Sequence, residues 1–141
     1  MPTLRLTTCL ALCLTLLAVQ TPVQAQRQAT IEQGKRLWQQ HCSDCHAIDT
    51  DETGPRHRGV FGRRAGSIPN YDYSRALRKS GVVWNAATLE SWLTDPEKFI
   101  PGQNMDYRVS KRAEREALIT YLQSLSAANG TPSTLAEPQR R

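Results

Sequence analysis

Cys42-Ser43-Asp44-Cys45-His46 is the stretch of this chain whose residue types and spacing can do chemistry. Two thiols three positions apart, followed at once by an imidazole, form the C-x-x-C-H pattern of covalent c-type haem attachment. Each thiol adds across one vinyl group of a haem. His46 is then held under the ring, where an imidazole nitrogen can ligate the iron. A bare C-x-x-C could instead be a redox pair, half of a zinc site or a plain disulfide. Zinc wants two more Cys or His ligands at suitable spacing, and a thioredoxin-like pair wants a βαβ pattern around it. Neither accompanies the motif. Of four cysteines, Cys9 and Cys13 fall in an N-terminal apolar segment, which leaves Cys42 and Cys45 downstream.

An iron held by His46 has a sixth position to fill or leave open. Met105, in the loop Ile100-Pro101-Gly102-Gln103-Asn104-Met105, is the one methionine beyond the N-terminal segment. A thioether there would raise the potential relative to two imidazoles, while methionine as core filler is the ordinary alternative. His41 and His57 are the other candidates. His41 directly precedes Cys42 and has little freedom to reach across the ring. His57, eleven residues past the motif, is expected on the His46 side.

The elements that must position these residues read as helices. Ile31, Gly34, Leu37, Trp38 and His41 fall on one face of a helix over 30–42. Gly34 within it costs about 1 kcal/mol against Ala and implies close approach of another backbone. Residues 47–72, rich in Gly and Pro, are irregular. A short helix over 74–80 is closed by Gly81. Asn85 caps a helix over 86–94, and Pro96 ends it. Residues 97–107 are irregular. Ser110 caps a last helix to about Leu125, with Ala117, Leu118, Tyr121, Leu122 and Leu125 at helical spacing. No strand pattern occurs, so the fold class is all-α, with few helices and long loops.

The ends of the chain bound its compartment. Residues 1–25 read as a cleaved signal peptide: one charge at Arg5, a Leu-rich run from Leu6 to Val19, then Val23-Gln24-Ala25 as a small-residue cleavage site. The run is interrupted by threonines and is shorter than the ~20 apolar residues of a membrane span; an uncleaved anchor is the alternative. Export to the bacterial periplasm suits the haem, which is attached outside the cytoplasm. Removing 25 of 141 residues leaves 116, and the formal charge falls from +5 to +4 with the loss of Arg5. The expected organisation is a haem domain over 26–126 and a disordered tail over 127–141, which lacks any apolar period.

Taken together, Gly34-x-x-x-Trp38, the haem motif, Thr53-Gly54-Pro55, Gly59-Val60-Phe61-Gly62-Arg63, Tyr71-x-Tyr73-Ser74-x-Ala76, Gly81-Val82-Val83-Trp84, Pro96, Ile100-Pro101-Gly102-x-x-Met105 and Glu114-Arg115-Glu116-x-Leu118-Ile119-x-Tyr121-Leu122 come in order. The series resembles the class I cytochromes c of the mitochondrial and bacterial c2-like kind, from about Ile31 to Leu125. The resemblance implies the cytochrome c fold around one covalent haem c. It implies attachment by Cys42 and Cys45, and His46 and Met105 as axial ligands. The Pro55 carbonyl would accept a hydrogen bond from His46, and Tyr73 and Trp84 would bond a haem propionate. Gly34 and Trp38 would meet Leu118 and Tyr121 where the first and last helices cross. Trp38 stands where the family usually has Phe, His57 where it has Leu, Leu77 where it has Asn, and Trp92 where Tyr is common. One residue fewer than usual follows Tyr107.

The function implied is a soluble, exported, monomeric carrier of single electrons, not an enzyme. The alternatives are a subunit dedicated to one dehydrogenase, or an open-site haem enzyme or gas binder. Arg56, Arg58, Arg63, Arg64, Arg75, Arg78, Lys79, Lys98, Arg108, Lys111 and Arg112 make a basic surface suited to redox partners with acidic docking faces. Glu97 and Asn104 stand where mitochondrial members often carry lysine. Nucleic acid is a poor fit for an exported chain, and no stable membrane insertion is expected.

Overall fold

A computed structural model describes residues 21–127. Most of the expected signal peptide, and the expected tail beyond Ala127, lie outside the described residues. Five helices occur in the order α1 (Pro22–His41), α2 (Arg75–Lys79), α3 (Ala86–Thr94), α4 (Pro96–Phe99) and α5 (Arg112–Ala127). Among the described residues the only extended pairing is an isolated antiparallel bridge between Arg64 and Val83. The all-α expectation holds among the described residues.

The helices differ from expectation at their ends, for local reasons. α1 starts at Pro22, eight residues before Thr30. Pro22 sits at its first position, where a missing N–H costs nothing. Nothing between Val23 and Ala29 breaks a helix, yet those residues are exposed and pack on nothing. Pro96 does not simply end α3. It opens α4, whose N-cap Asp95 accepts a hydrogen bond from the Lys98 amide at 3.1 Å. α5 begins at Arg112 rather than beside Ser110, and its first backbone bonds return to the Lys111 carbonyl. Asn85 caps α3 as expected, and its side chain and Thr88 bond each other's backbone amides reciprocally.

The core forms where α1 and α5 cross. Gly34 is the pivot: a Cβ there would lie 2.1 Å from the Ala117 carbonyl oxygen and 2.7 Å from Tyr121 Cβ. One turn on, the Trp38 ring packs against Tyr121, with centroids 6.3 Å apart. α3 joins α5 through Arg115, buried among its partners. Its guanidinium donates to Glu90 at 2.8 Å and to the Val109 and Ser110 carbonyls at 2.7 and 2.9 Å. A buried cation persists only when every donor is so engaged. The long loop between α1 and α2 is held by its own backbone: the His57 and Arg58 amides donate to Ala47 and Ile48, and Gly62 and Trp84 bond each other's segments.

Gly34→Ala gains helix propensity of about 1 kcal/mol, but its methyl overlaps the backbone of α5. The expected net outcome is a destabilisation of about 2 kcal/mol, read as a lower midpoint in guanidinium unfolding. An unchanged midpoint would mean that the helices do not cross at Gly34.

Candidate functional site

Beside the α1–α5 crossing lies a cavity of about 310 Å³. Val60, Leu89, Trp92, Leu93, Leu118 and Leu122 give it an apolar floor, and these residues are otherwise the hydrophobic core. The Cys42, Cys45, His46, Pro55, Tyr73, Trp84 and Met105 singled out from the sequence all line this one cavity. His41 and Tyr107 line it from its exposed side, where the Tyr107 hydroxyl and His41 Nδ1 share a hydrogen bond of 2.7 Å.

The motif is delivered by α1. The helix ends at His41, and the Cys42 amide still bonds the Trp38 carbonyl at 2.9 Å. The chain then turns tightly, with the Cys45 and His46 amides both returning to Cys42 O. Before haem attachment, Cys42 presents a partly buried thiol and Cys45 an exposed one. Burial, helped by the neighbouring Cys45, pushes the Cys42 thiol up to about 12, so it stays protonated at neutral pH.

His46 is oriented by its surroundings. Its Nδ1 lies 2.7 Å from the Pro55 carbonyl oxygen. A carbonyl only accepts, so Nδ1 carries the proton and Nε2 keeps a free lone pair. Burial lowers the pKa of His46, partly offset by the Pro55 bond, and favours this neutral form. Gly54 leaves space for the ring, since a Cβ there would lie 2.3–2.7 Å from three of its atoms.

Three side chains do more at this site than the sequence revealed. The His57 ring stacks on His46, with centroids 4.1 Å apart and planes 21° from parallel. Its Nδ1 accepts a hydrogen bond from the Trp38 indole N–H at 2.7 Å. Burial above all, with His46 and the cationic Arg63 nearby disfavouring a further positive charge, drives the His57 pKa well below its usual value. Arg63 lines the cavity and donates to the Arg56 and Arg58 carbonyls at 2.7 and 3.1 Å. Tyr71, also lining it, donates to Thr53 O at 2.5 Å. The paired departures at Trp38 and His57 were the one sequence signal for the stacked group.

Met105 comes from the loop after α4. Its amide donates to Gln103 Oε1, while the Glu97 carboxylate accepts from the Gly102 amide at 2.9 Å. The loop is thus stitched on both sides of Gln103. Leu77 and Trp92 also line the cavity, and neither offers a hydrogen-bond acceptor there.

The basic surface is less open than the charge count suggests. Arg56, Arg58, Arg78, Arg108, Lys111 and Arg112 each pair with a nearby carboxylate. Two thiols, an imidazole with a free Nε2 and a thioether on one apolar cavity are a donor set that fits a haem and its iron. They do not fit the all-oxygen ligands of magnesium or calcium.

The sequence profile of the family described as Cytochrome c matches residues 31–126. Cytochrome c type-1 of Ascaris suum is 42% identical over 95 residues, 65% of this chain and 85% of that protein. Cytochrome c of Sesamum indicum is 36% identical over 101 residues, 69% of this chain and 91% of that protein. Among solved structures, cytochrome cH from Methylobacterium extorquens superposes with a TM-score of 0.64 at 34% identity, covering 67% of this chain and 97% of that one.

Gly54→Ala places a methyl within the His46 ring. The ring must turn away from Pro55, and a destabilisation of about 1–3 kcal/mol is expected. Loss of the hydrogen-bonded His46 Nδ1–H resonance checks it; a retained resonance with unchanged unfolding would contradict the geometry.

Proposed function

The chain belongs to the cytochrome c family, and on that premise we propose that it is an exported, diffusible, monomeric carrier held to its haem by Cys42 and Cys45, with His46 and Met105 as axial ligands. It is an electron-carrying haem protein rather than an enzyme, and it carries one covalently attached haem c. When bound, the haem supplies a one-electron Fe(III)/Fe(II) couple. The observation that carries the ligand assignment is the convergence of both thiols, the His46 imidazole and the Met105 thioether on one apolar cavity.

The roles follow from what each residue can do. Cys42 and Cys45 tether through thioether bonds. Pro55 keeps the proton on His46 Nδ1, so Nε2 is the ligating nitrogen. Met105 offers a soft sulfur from a loop that Glu97 and Gln103 hold in place. Tyr73, Trp84 and Arg63 line the cavity as the polar groups suited to haem carboxylates. The apolar floor excludes water from the remainder.

Export to the periplasm is supported by the Leu-rich N-terminal run and the Val23-Gln24-Ala25 site. Cleavage after Ala25 would shorten the exposed start of α1 and remove no core contact. Among the described residues no helix is long and apolar enough to cross a membrane. Partners would be redox proteins with acidic faces, met by Arg64, Arg75, Lys79 and Lys98, which make no ion pair among the described residues. With many other cations paired locally, docking should depend on these four and on the modest net charge rather than on the full count of basic residues.

The test combines intact mass with visible spectra of the exported protein. A mass starting at Gln26 plus one haem is expected. So are a sharp low-spin reduced spectrum, a weak long-wavelength ferric band and no response to carbon monoxide. Met105→Ala should lose that band and bind carbon monoxide at once. A high-spin, carbon-monoxide-responsive wild type would overturn Met105 ligation in favour of an open site.

A further inference from the structure

Trp38 and His57 are nineteen residues apart in sequence and joined by a hydrogen bond in the wall of the haem cavity. An indole N–H can only donate. Its partner, His57 Nδ1, must therefore accept and cannot carry a proton. His57 is thus an uncharged imidazole with its proton on Nε2, a tautomer fixed by Trp38 alone. Trp38 is itself buried, 7% exposed and packed against Tyr121 at the α1–α5 crossing.

The fixed ring is stacked on His46. The Pro55 bond anchors His46 at one atom and leaves the ring able to swing about that anchor. Gly54, having no Cβ, leaves room at its Cε1 end. The parallel His57 ring, at 4.1 Å between centroids, covers a face and blocks the swing. A leucine could fill the volume. It could neither stack as a plane nor accept from the buried indole, which would be left unpartnered.

We propose that Trp38 and His57 form a positioning pair for the axial ligand, in which the indole N–H fixes the His57 tautomer and the stacked His57 ring sets both the orientation of His46 and the polarity of its surroundings. The proposal rests on the reading of His46 as an axial ligand. Outer partners of a ligating histidine orient it and tune the metal. A polar ring in place of a hydrocarbon beside the ligand lowers the cost of keeping the more positive oxidation state away from water. The pair should therefore hold the reduction potential below that of a chain with apolar residues at both positions.

The test is a double-substitution cycle on the haem-loaded protein, using Trp38→Phe, His57→Leu and the two together. The readouts are reduction potential and nitrogen-15 spectra of the reduced state. In the wild type the His57 nitrogens should report the Nε2–H tautomer, and the Trp38 indole proton should be strongly protected from exchange. His57→Leu should shift the potential upward. Trp38→Phe should shift it and release the tautomer, and the double substitution should add little to His57→Leu, because Trp38 acts through His57. His57→Phe keeps a stacked ring without a nitrogen and separates orientation from polarity: a potential equal to that of His57→Leu assigns the effect to polarity. Should His57→Leu fail to mature, Trp38→Phe alone decides, since it retains an aromatic ring in the core. An unmoved potential in Trp38→Phe and His57→Phe, or strictly additive shifts, would reduce the pair to packing. The same wild-type samples exposed to carbon monoxide keep the two readings apart. A high-spin, responsive wild type counts against axial ligation, whereas a normal wild type with unmoved potentials counts against the pair alone.

Discussion

The close crossing of α1 and α5 is the constraint from which the rest of the structure follows. Helices separated by ordinary side chains lie 8–10 Å apart. Here Gly34 presents no side chain, and the Ala117 carbonyl and Tyr121 Cβ occupy the space a methyl would need. Because α1 runs without interruption into Cys42, the crossing fixes where the haem motif emerges. It also seats Trp38, and through Trp38 it reaches His57 and His46. A contact between two helix backbones thereby sets the attitude of a ring one hydrogen bond and one stack away.

The second constraint is that the core is built around a cavity. Leu118, the most deeply buried large side chain of α5, faces it, as do Leu89, Trp92 and Leu93 from α3. Close-packed interiors lose dispersion contacts wherever a void stands, so this chain gains much of its burial only with the haem in place. The loops can then be long without being loose. Residues 47–72 lack helix, but backbone amides tie them to Cys45, Ala47, Ile48, Val82 and Trp84. The Asp49–Arg58 pair lies on their outer side, where solvent screens an ion pair and leaves it little influence on stability.

What could be read in the sequence was what local chemistry decides. Asn85 and Gly81 announced a helix start and a helix stop, and Gly34 announced a close approach before any partner was known. The C-x-x-C-H spacing carried the cofactor. Helix ends were less legible. The exposed start of α1 depends on the absence of breakers between Val23 and Ala29, not on any apolar pattern, and Pro96 can end one helix or begin the next. Least legible were contacts between distant residues. Nothing local links Trp38 to His57, and Arg63 counted as one more surface charge until the loop folded it into the cavity wall. Composition likewise overstated the basic face, because it cannot show which arginines stand beside an aspartate.

The two sides of the cavity solve the same problem differently. Around His46 two N–H groups are answered by the protein: Nδ1–H by Pro55 and the indole N–H by His57. Around Leu77, Trp92 and Leu93 there is little polar to answer. An internal water needs roughly two to four polar partners, and neither wall leaves that many free. A group that gains and loses one charge in such a place meets dipoles already oriented by the fold and little solvent that must turn with each change. Preorganisation of that kind avoids reorganisation at the moment of reaction. It suits an electron that arrives and leaves, since the transfer moves charge without bringing any group into the site.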